Sequence, residues 1–214
     1  LFERSDAASV RALFAEHPDL EGLNVTVPHK VAVMEHLDAL TPAATAIGAV
    51  NAVRREADGR LTGHNTDAHG FVASLRPFLT GDHDRAIIVG AGGAAAAVRY
   101  GLAGLGIDAV HAVRRDLPAG TPFRWVRLDG IEAAAVKHYR LIVQATPVGT
   151  APDTEEAVDF PWEGVGERHF VVDLVYNPPR TRFLRNAEAR GALTLNGADM
   201  LRLQAEAAWG FWNR

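Results

Sequence analysis

The stretch RAIIVGAGGAAAAV, residues 85–98, decides the fold. It opens on a short apolar run, Ala86–Val89, of the kind that forms a strand buried on both faces. Gly90, Gly92 and Ala95 then fit the spacing G-x-G-x-x-G/A, and the alanines after them start a helix. That spacing alone is a weak signal. Here it stands between an apolar strand and a helix, where each small residue has a task. Gly90 permits the tight turn, Gly92 lets a pyrophosphate approach the backbone, and Ala95 allows helix and strand to pack closely. The helix N-terminus adds free N–H groups and a partial positive charge for the phosphates. A break at Gly106 and a second apolar run, Ala109–Val113, complete a βαβ unit.

Working toward the C-terminus, an NAD-binding unit would carry an acidic residue at the end of the second strand, for the ribose 2′-hydroxyl. Arg114 and Arg115 stand there instead. Arginine forks grip phosphate, so the pair favours the 2′-phosphate of NADP. Asp116 follows and keeps an unphosphorylated ribose open as the alternative. Further strands are expected in RLIVQAT (140–146), HFVVDLVY (169–176) and ALTLN (192–196), and an amphipathic helix in the closing segment from residue 198.

Toward the N-terminus the pattern is less regular. DAASVRALFAEHP (6–18) reads as a helix capped by Ser5 or Asp6, with Val10, Leu13 and Phe14 on one face. NVTVP (24–28) reads as a strand that Pro28 ends, and KVAVMEHLDAL (30–40) as the next helix. TPAATAIG (41–48) has a Thr41 cap and Pro42 in its first turn. Residues 49–67 read as a hairpin turning at Asp58-Gly59, and AHGFVASLRPFL (68–79) as a helix leading into the polar connector TGDHD (80–84). The fold expected is α/β. A domain boundary is expected near Pro77–Asp84.

Four polar residues of the first half, Thr26, Lys30, Asn51 and Asp67, fall at expected strand ends or turns. Lys30 and Asp67 suit a hydride-transfer reaction. When hydride leaves a carbinol carbon its hydroxyl must lose a proton, and in reverse the carbonyl oxygen needs a donor. An ordinary lysine, with a pKa of roughly 10.4, is a poor base at neutral pH. Burial would lower that value, whereas pairing with Asp67 would hold the ammonium charged. Asn51 and Thr26 are short neutral groups able to hydrogen-bond hydroxyls.

Bulk properties exclude several other chemistries. A net charge of −4 and the lack of a basic block argue against nucleic acid or an anionic membrane as partner. The absence of cysteine removes thiolate catalysis and cysteine-ligated zinc, and suits a cytoplasmic setting. His64 and His69 lack metal-ligand spacing, so no metal is expected. No serine stands in G-x-S-x-G.

Taken in order, these segments resemble the shikimate/quinate dehydrogenase family. NVTVPHK (24–30) is similar to its N-V-T-x-P-x-K motif, and GHNTDAHGF (63–71) to its G-x-N-T-D-x-x-G-F. IGAVNAV (47–53) is similar to its I-G-A-V-N-T, with Ala52 for threonine. VGAGGAAAAV (89–98) fits the nucleotide loop, DLVYNPPRTRFL (173–184) a D-x-x-Y-x-P-x-x-T segment, and NGADMLRLQAEAAW (196–209) a closing G-x-x-M-L-x-x-Q-A segment. The resemblance implies NADP(H)-dependent interconversion of 3-dehydroshikimate and shikimate, by a monomer or homodimer. It implies that residues 1–78 with 198–214 form a substrate-binding domain and 79–197 a Rossmann-type NADP-binding domain, with the last helix returning to the first. It implies Lys30 and Asp67 as the catalytic pair, and Thr26, Asn51, Tyr176 and Gln204 as substrate ligands. Gly90, Ala91, Gly92, Gly93 and Ala94 would form the phosphate loop, with Arg114 and Arg115 at the adenine end. Thr146, Val175, Gly197 and Met200 would lie near the nicotinamide.

The sequence departs from the family in three places. The family's opening strand, with two serines that hold the substrate carboxylate, has no counterpart before Leu1, so the sequence is expected to be cut there. The segment from Arg114 to Trp125 is short for the helix that members place there. Gln144 stands where asparagine is usual, which is expected to shift the loop beneath the nicotinamide. Two other readings remain: a quinate/shikimate dehydrogenase using NAD or NADP, and a non-catalytic nucleotide-binding module derived from this fold.

Overall fold

The computed structural model describes residues 1–213; Arg214, the end of the expected returning segment, lies outside the described residues. The first part of the chain runs α1 (Ser9–Glu16), β1 (Gly22–Asn24), β2 (Ala39–Leu40), α2 (Pro42–Ile47), β3 (Ala52–Arg55), β4 (Leu61–His64) and α3 (Asp67–Leu75). Its four strands form one sheet in the order β1-β3-β4-β2. The hairpin β3–β4 turns through Gly59 at φ +85°, a value glycine adopts without a Cβ clash. Thr41 Oγ1 accepts the Ala44 N–H at 3.3 Å and Pro42 opens α2, so this helix starts as its sequence dictates.

Two elements differ from expectation. The strand expected over residues 24–28 stops at Asn24, and Thr26–His29 make a turn in which Thr26 O accepts the His29 N–H. Pro28 brings no N–H to a ladder, so the chain leaves the sheet early. The helix expected over residues 30–40 shrinks to a 3₁₀ turn, Ala32–His36. The Asp38 carboxylate accepts the Leu61 N–H and pairs with Arg11, which draws residues 39–40 into the sheet beside β4. The cap of α1 also differs. Asp6 Oδ1 accepts the Ala8 N–H just ahead of the helix, and the helix itself starts without a side-chain cap.

The second part runs β5 (Arg85–Val89), α4 (Gly93–Gly104), β6 (Asp108–Val113), β7 (Trp125–Arg127), α5 (Ala133–Val136), β8 (Leu141–Gln144), β9 (Phe170–Asp173), α6 (Arg182–Glu188), β10 (Leu193–Asn196) and α7 (Ala198–Trp212). Its six strands pair in parallel in the order β10-β9-β8-β5-β6-β7. This is the doubly wound arrangement, in which the order reverses between β5 and β8 and leaves a crevice at the carboxyl ends of the strands. Apolar clusters cover both faces of this sheet, and the fully buried Ile87, Ile88, Leu141 and Ile142 explain why its strands read as continuous hydrophobic runs. No helix lies between Arg114 and Trp125. No helix among the described residues is long and apolar enough to cross a membrane.

Helix α3 joins the two parts, packing against α4 on one side and α7 on the other. Glycines set both approaches. A Cβ on Gly101 would stand 2.8 Å from Val72 Cγ2, and one on Gly70 would stand 2.7 Å from Met200 O. Helix α7 follows β10 yet packs on α3 and β3, so the end of the chain does return to the small sheet.

Candidate active site

The crevice between β5 and β8 is lined by the glycine loop. Gly90 has φ +115°, and a Cβ there would meet Thr146 Cγ2 at 3.0 Å. Only glycine suits that backbone and that approach. Gly92 caps α4 in extended conformation, and no atom lies within 4 Å of where its Cβ would stand. That open space at a helix N-terminus is of the kind that suits a phosphate, and a larger side chain would block it. The cavity around it measures about 520 Å³; Gly90–Ala94, Arg114, Arg115 and Thr146 line it. Asp116 turns to Arg127, 3.5 Å away, and does not line the cavity.

A second cavity of about 380 Å³ adjoins the first. Thr26, Lys30, Asn51, Asp67, Tyr176 and Gln204 line it, together with Gly197 and Met200. Lys30 and Ala94 line both cavities. The contact is close, since the Cβ position of Gly93 lies 3.4 Å from Lys30 Cβ. Residues drawn from separate sequence segments thus converge on one place. Val175 is the exception. It lines neither cavity; its N–H donates to Asp173 Oδ1 and its carbonyl accepts the Gly197 N–H.

The polar groups of the smaller cavity form one network. Lys30 Nζ donates to Asp67 Oδ2 at 2.7 Å, with the two side chains 17% and 6% exposed. Asn51 Nδ2 lies 2.9 Å from Asp67 Oδ1, 2.9 Å from Thr66 Oγ1 and 3.1 Å from Gln204 Oε1. Two hydrogens thus serve three acceptors. Asn51 Oδ1 accepts the Thr66 N–H at 2.7 Å. Thr66 is fully buried and central to the network, and sequence reasoning missed its role although it stands inside GHNTD. Gln204 reaches the network because Gly70 lets α7 lie against α3.

A family model described as the shikimate dehydrogenase substrate binding domain matches residues 3–53. A shikimate dehydrogenase (NADP(+)) of Desulforamulus reducens is 36% identical over 99% of this chain and 82% of its own length. The chain belongs to the shikimate dehydrogenase family. Solved relatives share its fold. A shikimate 5-dehydrogenase of Thermus thermophilus, in complex with NADP(H) and shikimate, is 35% identical with a TM-score of 0.80, over 95% of this chain and 77% of that one. A quinate dehydrogenase of Corynebacterium glutamicum in complex with NAD is 31% identical with a TM-score of 0.83, over the same shares.

Within this family frame, three buried groups brace the site. Gln144 is fully buried; its Nε2 donates to Val148 O at 3.0 Å and its Oε1 accepts the Thr146 N–H at 2.5 Å. The longer amide thus ties both ends of the loop that faces Gly90. Asp173 Oδ1 and Oδ2 accept the Val175 N–H and the Thr181 hydroxyl, at 3.0 and 2.6 Å. Burial pushes the Asp173 carboxyl up to about 6, against those two hydrogen bonds, which oppose the shift. His111 Nδ1 donates to Gly90 O at 2.7 Å, and burial holds its pKa below the ordinary histidine value. A neutral ring therefore pins the glycine turn from beneath. Nothing in the sequence pattern distinguishes this histidine from any other strand residue.

Proposed function

We propose that the protein catalyses the reversible, NADP-dependent reduction of 3-dehydroshikimate to shikimate, a step toward the aromatic amino acids. The observation that carries this reading is the place of Lys30. It pairs with Asp67 in the smaller cavity and packs against Gly93 at the rim of the larger one. A proton-handling group thus stands where substrate and dinucleotide would meet.

The residues present fit the cofactor. Gly92 leaves the cradle for its pyrophosphate, and the N-terminus of α4 faces that space. Arg114 and Arg115 line the cavity and offer forks for a 2′-phosphate, whereas Asp116 stands 3.5 Å from Arg127 and does not line it. When bound, NADPH supplies the hydride that the carbonyl carbon receives. Thr146 would lie beneath its nicotinamide end, with Gly197 and Met200 on the substrate side; Val175 would act through its backbone bond to Gly197.

Lys30 Nζ delivers the proton to the developing alkoxide oxygen, and takes it back in the reverse direction. Asp67 Oδ2 orients that ammonium, and Asn51 Nδ2 steadies the carboxylate through Oδ1. Thr26, Asn51, Tyr176 and Gln204 line this cavity and would hydrogen-bond the ring hydroxyls. Residues 1–78 and 198–214 would act as the substrate domain and 79–197 as the nucleotide domain of a cytoplasmic monomer or homodimer.

The test follows NADPH absorbance with the full-length gene product, shikimate and NADP⁺, beside parallel reactions with quinate and with NAD⁺. Shikimate with NADP⁺ is expected to be turned over fastest. Faster turnover of quinate with NAD⁺ would move the assignment to a quinate dehydrogenase. No reduction in any pairing would leave a nucleotide-binding module.

A further inference from the structure

A third cavity, of about 860 Å³, exceeds both of those above and belongs to neither. It lies on the far side of α3. Asp67 opens that helix toward the catalytic pair, whereas His69, Val72 and Arg76 line the third cavity. Helical spacing puts those three together on the face opposite Asp67. Helix α4 contributes Tyr100, and α7 contributes Phe211. Gly104 and Gly210 keep the walls low, with nothing within 4 Å of either Cβ position.

The charge of this groove is one-sided. Arg54, His64, His69 and Arg76 line it, and among the described residues no aspartate or glutamate does. One of the groove's two guanidiniums is already committed. Arg54 pairs with Glu56 and donates to Phe211 O, and His64 Nδ1 lies 2.8 Å from Thr41 Oγ1. The side chains of His69 and Arg76 and the Tyr100 hydroxyl have no hydrogen bond or ion pair among the described residues. An exposed guanidinium and imidazole without side-chain partners, lining the same groove as Tyr100, are free to take an anion. The guanidinium fork matches a carboxylate bidentately, and Tyr100 offers an exposed ring; Phe211 is buried beneath Arg54 and His64, 4.6 and 4.9 Å from its ring.

We propose that this groove binds a small ring-bearing carboxylate, its anionic end on Arg76 and His69 and its ring against Tyr100, Val72 and Leu105. The volume lies in the range of small-molecule sites. The groove also touches the catalytic network through covalent chain. His64 and Asn65 line it, Asp67 follows two residues on, and His64 O accepts the Asn51 N–H at 3.0 Å. A bound ligand therefore acts from outside both catalytic cavities and does not compete with what they hold.

The test is calorimetric titration of naphthalene-2-carboxylate into the full-length protein, held with saturating shikimate alone and, in a second run, with saturating NADP⁺ alone. The same titration is run on a variant carrying Arg76→Gln and His69→Gln. Binding is expected in the unmodified protein and is expected to weaken by roughly tenfold or more in the variant, the worth of a lost charge-assisted contact. The variant's shikimate oxidation without the probe stays unchanged. Absence of binding at millimolar probe, or equal binding to both proteins, overturns the site. The readout is binding itself, so a protein that fails to oxidise shikimate counts against the proposed function and leaves this test able to succeed or fail.

Discussion

Lys30 Nζ donates to Asp67 Oδ2 at 2.7 Å although 37 residues separate the two in the chain. Lys30 leaves the turn after β1, and Asp67 is the first residue of α3. Between them lie β3 and β4, whose pairing fixes how far apart the two backbones sit. Asn51, just before β3, braces Asp67 from the other side. The ion pair is therefore set by a hairpin rather than by two flexible side chains finding each other.

Replacing Lys30 with Ala removes the proposed proton-handling group and leaves the hairpin, Asn51 and the glycine loop in place. Turnover is expected to fall by roughly 10²–10⁴-fold, the usual worth of a general acid or base. NADP⁺ affinity, read by fluorescence titration, should barely change. Turnover like that of the unmodified enzyme would remove Lys30 from the mechanism.

Two glycines with opposite surroundings should separate binding from stability. Gly92 is extended and has open space where its Cβ would stand, so Gly92→Ala is expected to fold normally. The new methyl occupies the phosphate cradle, and NADP⁺ affinity is expected to drop about tenfold or more, ~1.4 kcal/mol. Gly70→Ala meets Met200 O at 2.7 Å and Gln204 N at 2.8 Å, both backbone atoms. It should push α7 from α3 and destabilise the protein by about 1–3 kcal/mol. Urea unfolding and cofactor titration of both variants check the contrast; the same phenotype from both would refute it.

Arg114 and Arg115 face the dinucleotide cavity while Asp116 is held by Arg127. Changing both arginines to Ala should raise the KM for NADP⁺ by roughly 10–100-fold, as expected for charge-assisted bonds worth ~1.5–3 kcal/mol. The KM for NAD⁺ should move little, because it lacks the phosphate. Parallel loss with both cofactors would mean that the arginines support the fold or stack on adenine instead.

The nucleotide half was legible because its signals are local. An apolar run, a glycine spacing and a helix sit within fourteen consecutive residues, and each constrains the next. The small sheet was harder. Its strands β1 and β2 have only three and two residues, too short for any period to register. The helix expected over residues 30–40 was lost to a long-range event, Asp38 taking the Leu61 N–H, which no local pattern encodes. Among site residues, Lys30, Asp67, Asn51 and Gln204 were readable as motif members, and the structure brings them into one network. His111 was not readable, because its task depends on which carbonyl lies across the sheet.

Asp173 carries a prediction about pH. Its carboxyl is fully buried, and burial raises its pKa from 3.8 to about 6 in the folded protein. The sign follows from linkage. Below pH 4 both folded and unfolded chains hold the proton, and this group contributes its full stability. Between about pH 4 and 6 the unfolded chain gives up the proton while the folded one keeps it, so stability falls as pH rises. Above pH 6 both are ionised and the loss is complete, about 3 kcal/mol for a shift of this size. Asp173→Asn keeps an acceptor for the Val175 N–H but cannot titrate. The difference in urea midpoint between variant and parent should therefore change across pH 4–6 and stay level from pH 6 to 8. A difference that is constant from pH 4 to 8 would show that the two hydrogen bonds to Asp173 outweigh its burial.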